Sequence, residues 1–261
     1  MFNKNNLKYI FILAIGFFWC SSLYLTQEQH LTSYASVEFV NIVELLFGSL
    51  SMALGILTFG LLYRKNKNVK NIFIIFMLLS LVSMISFFAT KNKYFMSVCL
   101  CLSCFFGTAG FGAGYHFSLL GSNVEKEYRG RVFAIGYGLG SIGTYLMILF
   151  PESFYSSIKT LIIYVPMLLL NLYLVINKTN LIQVKEEKQT SSFRNYFIRI
   201  SIIVLAMSLL SALSTDVIAI NTIDIAGGYG TTRLYYCLGL LIAGFLVDKK
   251  NSLFEILTIC F

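Results

Sequence analysis

Gly60-Leu61-Leu62-Tyr63-Arg64-Lys65 and Gly244-Phe245-Leu246-Val247-Asp248-Lys249 are two copies of one phrase, 184 positions apart. Each copy, Gly-x-Leu-x-(charge)-Lys, closes a long apolar run and opens into a cluster of cations. The first follows the second apolar segment of the chain and the other follows the eighth. A phrase that recurs at this spacing marks two related membrane halves of six segments each, the second of which stops early. The fixed positions of the phrase are Gly60, Arg64, Lys65, Gly244, Asp248 and Lys249.

Composition supports a membrane reading. Hydrophobic residues make up 57% of the 261-residue chain and charged residues 12%, half the ~25% of an ordinary soluble domain. The apolar residues come in blocks near the ~20 residues that a helix needs to cross a bilayer core of ~30 Å. These blocks predict helices over 9–25, 40–62, 71–89, 94–120, 132–150, 161–176, 197–214 and 229–247, with a ninth beginning at Ser252. The expected fold is all-α and transmembrane, with eight full spans plus a partial ninth. Residues 1–176 read as a six-helix N-terminal bundle, 177–196 as a cytoplasmic linker, and 197–261 as an incomplete second bundle. Long outer connections are expected over 26–39 and 215–228.

The net charge of +8 raises the question of nucleic acid, and the positions of the cations answer it. With a cytoplasmic N-terminus, sixteen of the twenty lysines and arginines fall on the inner side. That is the positive-inside bias of a multi-pass protein of the cell membrane. The partner implied is the lipid bilayer, not nucleic acid. Lys4 and Lys8 before the first apolar stretch imitate a secretory signal, but no small-x-small site follows, so an uncleaved first helix is expected.

Several patterns carry no chemistry. Cys99, Cys101 and Cys104 suggest a ligand cluster, yet helix positions two apart point to different faces, and no metal site is expected. Gly138-Leu139-Gly140-Ser141-Ile142-Gly143 spells a dinucleotide fingerprint inside an apolar span, without the strand that such a site requires. Two histidines on separate segments and no paired acids within the spans leave no catalytic constellation, so neither an enzyme nor a cofactor is expected. The pairs Gly110/Gly114 and Gly136/Gly140 are small-xxx-small spacings, which let helix backbones approach closely in lipid.

With these residues in view, the chain resembles the major facilitator superfamily, whose two six-helix bundles are related by a pseudo-two-fold axis along the membrane normal. The family's loop after helix two reads Gly-x-Leu-x-Asp-Arg/Lys-x-Gly-Arg-Arg, with a weaker copy after helix eight. Asp248 keeps the family's acid, whereas Arg64 stands in its place in the first copy and Lys67 replaces the second glycine. Glu125-Lys126-Glu127-Tyr128-Arg129-Gly130-Arg131 matches the family's turn between helices four and five. The resemblance implies that the aspartate helps close the inner gate by pairing with a helix dipole and a cation, and that Arg64 reverses the charge at the first gate. Span four holds no arginine and residues 132–150 no proline, which argues against proton-coupled drug export.

Ionisable and polar groups within spans are the natural markers of a pathway. Glu44 stands near the outer end of span two, and His116 stands toward the inner end of span four beside Tyr115. Tyr137 and Asn171 are further polar candidates facing other helices. The leading expectation is transport of an unidentified small solute by alternating access in a full-length form. Its rivals are a transporter-like sensor or anchor joined to a separate or fused C-terminal effector, and a non-functional truncated frame. Since helices nine to twelve would supply much of the cavity wall, the 261-residue chain alone should show no solute uptake when reconstituted in vesicles. Robust uptake would overturn that expectation.

Overall fold

The computed structural model describes residues 6–43, 48–65, 69–110, 113–179 and 229–250, and all regular structure among them is helical. In chain order the helices are α1 (Leu7–Thr32), α2 (Val37–Ile42), α3 (Ser49–Lys65), α4 (Val69–Ala89), α5 (Lys93–Gly110), α6 (Ala113–Asn123), α7 (Arg129–Ile148), α8 (Glu152–Tyr155), α9 (Leu161–Lys178) and α10 (Tyr229–Lys250). Single 3-10 turns at Lys126–Tyr128 and Ile158–Thr160 lead into α7 and α9. The chain forms two compact units, Met1–Ile182 with Arg233–Phe261, and Gln183–Thr232. The helical bundle belongs to the first of them.

Among the described residues, four helices are long and apolar enough to cross a membrane: Leu7–Thr32, Lys70–Ala89, Arg129–Ile148 and Ile158–Asn177. Leu50–Phe59, Lys93–Thr108 and Cys237–Leu246 are apolar but shorter. The expected segments therefore coincide with helices wherever they are described, but fewer of them reach crossing length. Segment 40–62 is shared between α2 and α3, and segment 94–120 between α5 and α6. The apolar part of α10 is short because the helix opens on Gly230, Thr231, Thr232 and Arg233. Segment 197–214, the residues from Ser252 onward, and all but the start of the linker lie outside the described residues.

Helix α1 is the axis of the bundle. Apolar residues around most of it are buried, including Ile10, Ile12, Leu13, Trp19 and Leu23, with Leu7 and Phe11 exposed, as in a helix flanked by several others. Several of its buried polar groups are matched across helices. The Trp19 Nε1–H donates to Ser80 Oγ on α4 (3.3 Å), and Ser80 donates to the Ser103 carbonyl on α5 (3.3 Å). Ser103 Oγ in turn donates to Gln27 Oε1 (2.9 Å), and Tyr164 on α9 donates to Ser22 Oγ (2.8 Å). Hydrogen bonds in such surroundings are strong, and an orphaned group there is costly, so the chain of contacts fixes how these helices turn toward α1.

The outer loop expected over 26–39 is mostly helix. α1 continues to Thr32 and α2 starts at Val37, leaving residues 33–36 between them. The run Gln27-Glu28-Gln29-His30 looks like a loop by composition, but Thr26 and Gln27 are fully buried. His30 also bonds the Ser156 carbonyl through Nδ1 (2.6 Å), so long-range partners hold the extra turns in place. Ser36 then caps α2 by accepting from the Phe39 N–H (3.4 Å).

Glycines set the distance between α1 and α7. A Cβ on Gly136 would fall 2.5 Å from Leu13 Cβ, and one on Gly140 would fall 2.7 Å from the Ala14 carbonyl oxygen. The Ser21 and Thr144 hydroxyls meet beside this contact. The Gly136/Gly140 pair thus packs as its spacing predicts. Gly110 ends α5 and Gly114 lies in α6, and the surroundings of that pair are outside the described residues. Replacing Gly140 with Val should cost about 1–3 kcal/mol through overpacking, whereas Leu139→Ala, at a position 45% exposed, should cost much less. Thermal unfolding in detergent distinguishes the two.

Candidate functional site

α7 begins at Arg129, just after the turn that joins it to α6, and the first N–H groups of any helix lack partners within it. Asp248, near the end of α10, supplies them. Its Oδ1 accepts from the Gly130 N–H (2.8 Å) and its Oδ2 from the Arg131 N–H (2.9 Å). Oδ2 also accepts from Arg131 Nε at 2.7 Å. The Asp248 side chain is 2% exposed and that of Arg131 30%. A carboxylate forked onto two consecutive amides at a helix start meets the positive end of the macrodipole, and the guanidinium adds a full charge.

The cations around this clasp are themselves anchored. Arg131 donates to the Glu127 carbonyl (3.0 Å) and lies over the Tyr128 ring, 4.9 Å from its centroid. Phe245, one turn before Asp248, places its ring 6.0 Å from the same guanidinium. Arg129 faces the other way and donates to the Val124 (2.9 Å) and Gly121 (2.9 Å) carbonyls, which serves the C-terminal end of α6. One arginine therefore closes α6 and the other helps hold α10 to α7.

The clasp needs the two backbones to touch. A Cβ on Gly130 would lie 2.7 Å from Asp248 Oδ1 and 2.8 Å from the Gly244 carbonyl oxygen. A Cβ on Gly244 would collide with Ala134 Cβ. Two turns further along α7, Gly138 packs against Cys237 Sγ. Gly130, Ala134 and Gly138 thus form one small-residue stripe facing α10, while Gly136, Gly140 and Gly143 form another facing α1.

Two pathway candidates chosen separately come together. His116 Nδ1 lies 3.0 Å from the Tyr137 hydroxyl, joining α6 to α7. His116 is fully buried rather than within reach of water, and its Nε2 has no hydrogen-bond partner. Phe17 and Phe133 hold the Tyr137 ring at centroid distances of 4.4 and 4.1 Å. Tyr115 points elsewhere and stacks on Phe73 (3.5 Å). Asn171 is fully buried on α9, and neither end of its amide finds a partner. Glu44 lies outside the described residues, as do the surroundings of Gly60 and of the Arg64, Lys65 and Lys249 side chains.

Sequence reasoning missed the core contacts of Gln27, Ser80 and Ser103. The available signal was a set of polar residues placed within apolar runs, with Ser22 and Thr26 four apart on one helix.

Asp248→Ala should speed hydrogen exchange at the Gly130 and Arg131 amides at least tenfold and cost about 1–3 kcal/mol, the penalty of orphaned donors. Asp248→Asn, which keeps one carbonyl acceptor, should fall between. Unchanged protection in both variants would show that the clasp does not hold α7. Compared with known proteins, the chain matches no protein-family model, no curated protein and no solved structure.

Proposed function

We propose that the chain is a multi-pass protein of the cell membrane, of major-facilitator type, with a cytoplasmic N-terminus. In its full-length form it moves a small solute by alternating access, and it is not an enzyme. The observation that carries this reading is the clasp. In the resemblance, the aspartate of the repeated phrase closes the inner gate by meeting a helix dipole and a cation. Asp248 belongs to the second copy of that phrase and has both partners, the start of α7 and Arg131.

The physics of the contact suits a gate. Its bonds are polar and lie at the end of the α7–α10 crossing, where water can take over each of them on opening. The net contribution of such a bond is therefore only about 0.5–1.5 kcal/mol, or up to ~3 when charge-assisted. Gly130 and Gly244 touch backbone to backbone without interlocking side chains, so the helices can part without a rotamer change. His116 on α6 meets Tyr137 on α7, the helix that the clasp holds, and movement of α7 would separate them or open them to solvent.

Cys237 provides the test because the residue is buried, with its thiol pressed against Gly138. In a variant that keeps Cys237 and replaces the other five cysteines, Asp248→Asn should raise the rate of N-ethylmaleimide labelling at least tenfold. An unchanged rate would remove the gate role of the clasp. Membrane embedding is checked separately: the chain should stay with membranes through an alkaline wash, and its release would overturn the multi-pass reading.

A further inference from the structure

Gly55 on α3 presses against the Phe105 backbone of α5 and leaves no room there for a side chain. Met52 stands one turn before Gly55, and Cys104 immediately precedes Phe105. The close approach therefore brings these two residues to the lining of one small cavity. Cys20 reaches the same cavity from α1, with its thiol directed at the Gly107 carbonyl of α5 (3.7 Å). Ser103 and Thr108 supply the hydroxyl groups of the lining. Three helices thus bring three sulfur-bearing side chains to one place. The run Cys99-x-Cys101-x-x-Cys104 contributes only its last member, and the other two sulfurs arrive from other helices.

The cavity measures about 10 Å³, close to a single water-sized sphere. It admits one atom-sized ligand and excludes an organic solute. Its polar groups have already committed their protons. Ser103 Oγ donates to Gln27 Oε1 (2.9 Å), Thr108 Oγ1 to the Cys104 carbonyl (2.6 Å), and the Cys20 thiol to the Gly107 carbonyl. What they can still offer an occupant is lone pairs, and lone pairs call for a cation.

We propose that Cys20, Met52 and Cys104 form a binding site for one soft monovalent cation of the cuprous type. Thiolate and thioether donors select Cu⁺ over harder ions. Among the described residues no three His, Cys, Asp or Glu side chains gather as a metal site, so the donor set that zinc requires is absent. On binding, one thiol passes its proton to water and becomes the thiolate ligand. The second thiol and the Met52 thioether coordinate as neutral donors. Thiolate and cation cancel, so the filled site adds no net charge to an interior where an unpaired charge is costly. Cys104 and Ser103 are buried, whereas Cys20 and Met52 are only half-buried, which leaves an ion a way in.

The site draws on α1, α3 and α5, and the clasp between α7 and α10 takes no part in it. Binding is measured without solute movement, so the site and the transport reading fail separately. The full chain, purified in detergent without oxygen, is titrated with Cu⁺ against an excess of bicinchoninate, a coloured Cu⁺ chelator. One Cu⁺ per chain should resist the chelator. Cys20→Ser and Cys104→Ser should each weaken retention at least a hundredfold, and Met52→Leu at least threefold. Cys99→Ser, at a buried thiol outside the cavity lining, should leave it unchanged. Unaltered Trp19 emission in each variant shows that the bundle is intact, and X-ray absorption of the loaded chain should report sulfur around copper. No retained Cu⁺ on the unaltered chain overturns the proposal, as does equal retention after both cavity-cysteine substitutions. Zn²⁺ held as tightly as Cu⁺ overturns the assignment of the ion.

Discussion

Helices approach to backbone distance where one of the two faces lacks side chains, and α7 presents such a face to two neighbours at once. Gly136, Gly140 and Gly143 bring α1 against it, while Gly130, Ala134 and Gly138 admit α10. The rest of the described bundle depends on this double approach. The clasp forms because Gly130 and Gly244 bring Asp248 within bonding distance of two amides. A helix built this way gains little from its own side chains and relies on its neighbours being in register.

That the described residues are helical was legible in the sequence from blocks of apolar residues, but where the helices break was not: segments 40–62 and 94–120 are each divided between two helices. The repeated phrase picked out Asp248, and the turn before α7 picked out Gly130 and Arg131. That these partners join was not legible from spacing, since they stand 117 and 118 positions apart. The same reason explains the extension of α1. Gln27 and His30 look like loop residues until Ser103 and Ser156, 76 and 126 positions away, are found beside them. Local composition cannot report a partner that arrives from another helix.

The candidate pathway shows a similar limit. His116 and Tyr137 were selected one at a time as polar residues in apolar runs, and their pairing emerges only when α6 and α7 are laid side by side. The Gly138–Gly143 pattern shows the converse. Its glycines do have a purpose, and it is contact: Gly138 faces Cys237, while Gly140 and Gly143 face α1. The motif was real, and its chemistry was packing.

The contact between Trp19 and Ser80 also has a spectroscopic consequence. Trp19 is the chain's single tryptophan, fully buried, with its indole N–H bonded across to α4 and its ring edge-on to Tyr164 of α9 at 5.1 Å. All of the indole fluorescence therefore comes from one point where three helices converge. Any rearrangement that loosens α1 from α4 or α9 lets water reach the indole, and the emission then moves to longer wavelength. The protein carries its own optical gauge of whether the heart of the bundle is closed, without an added label.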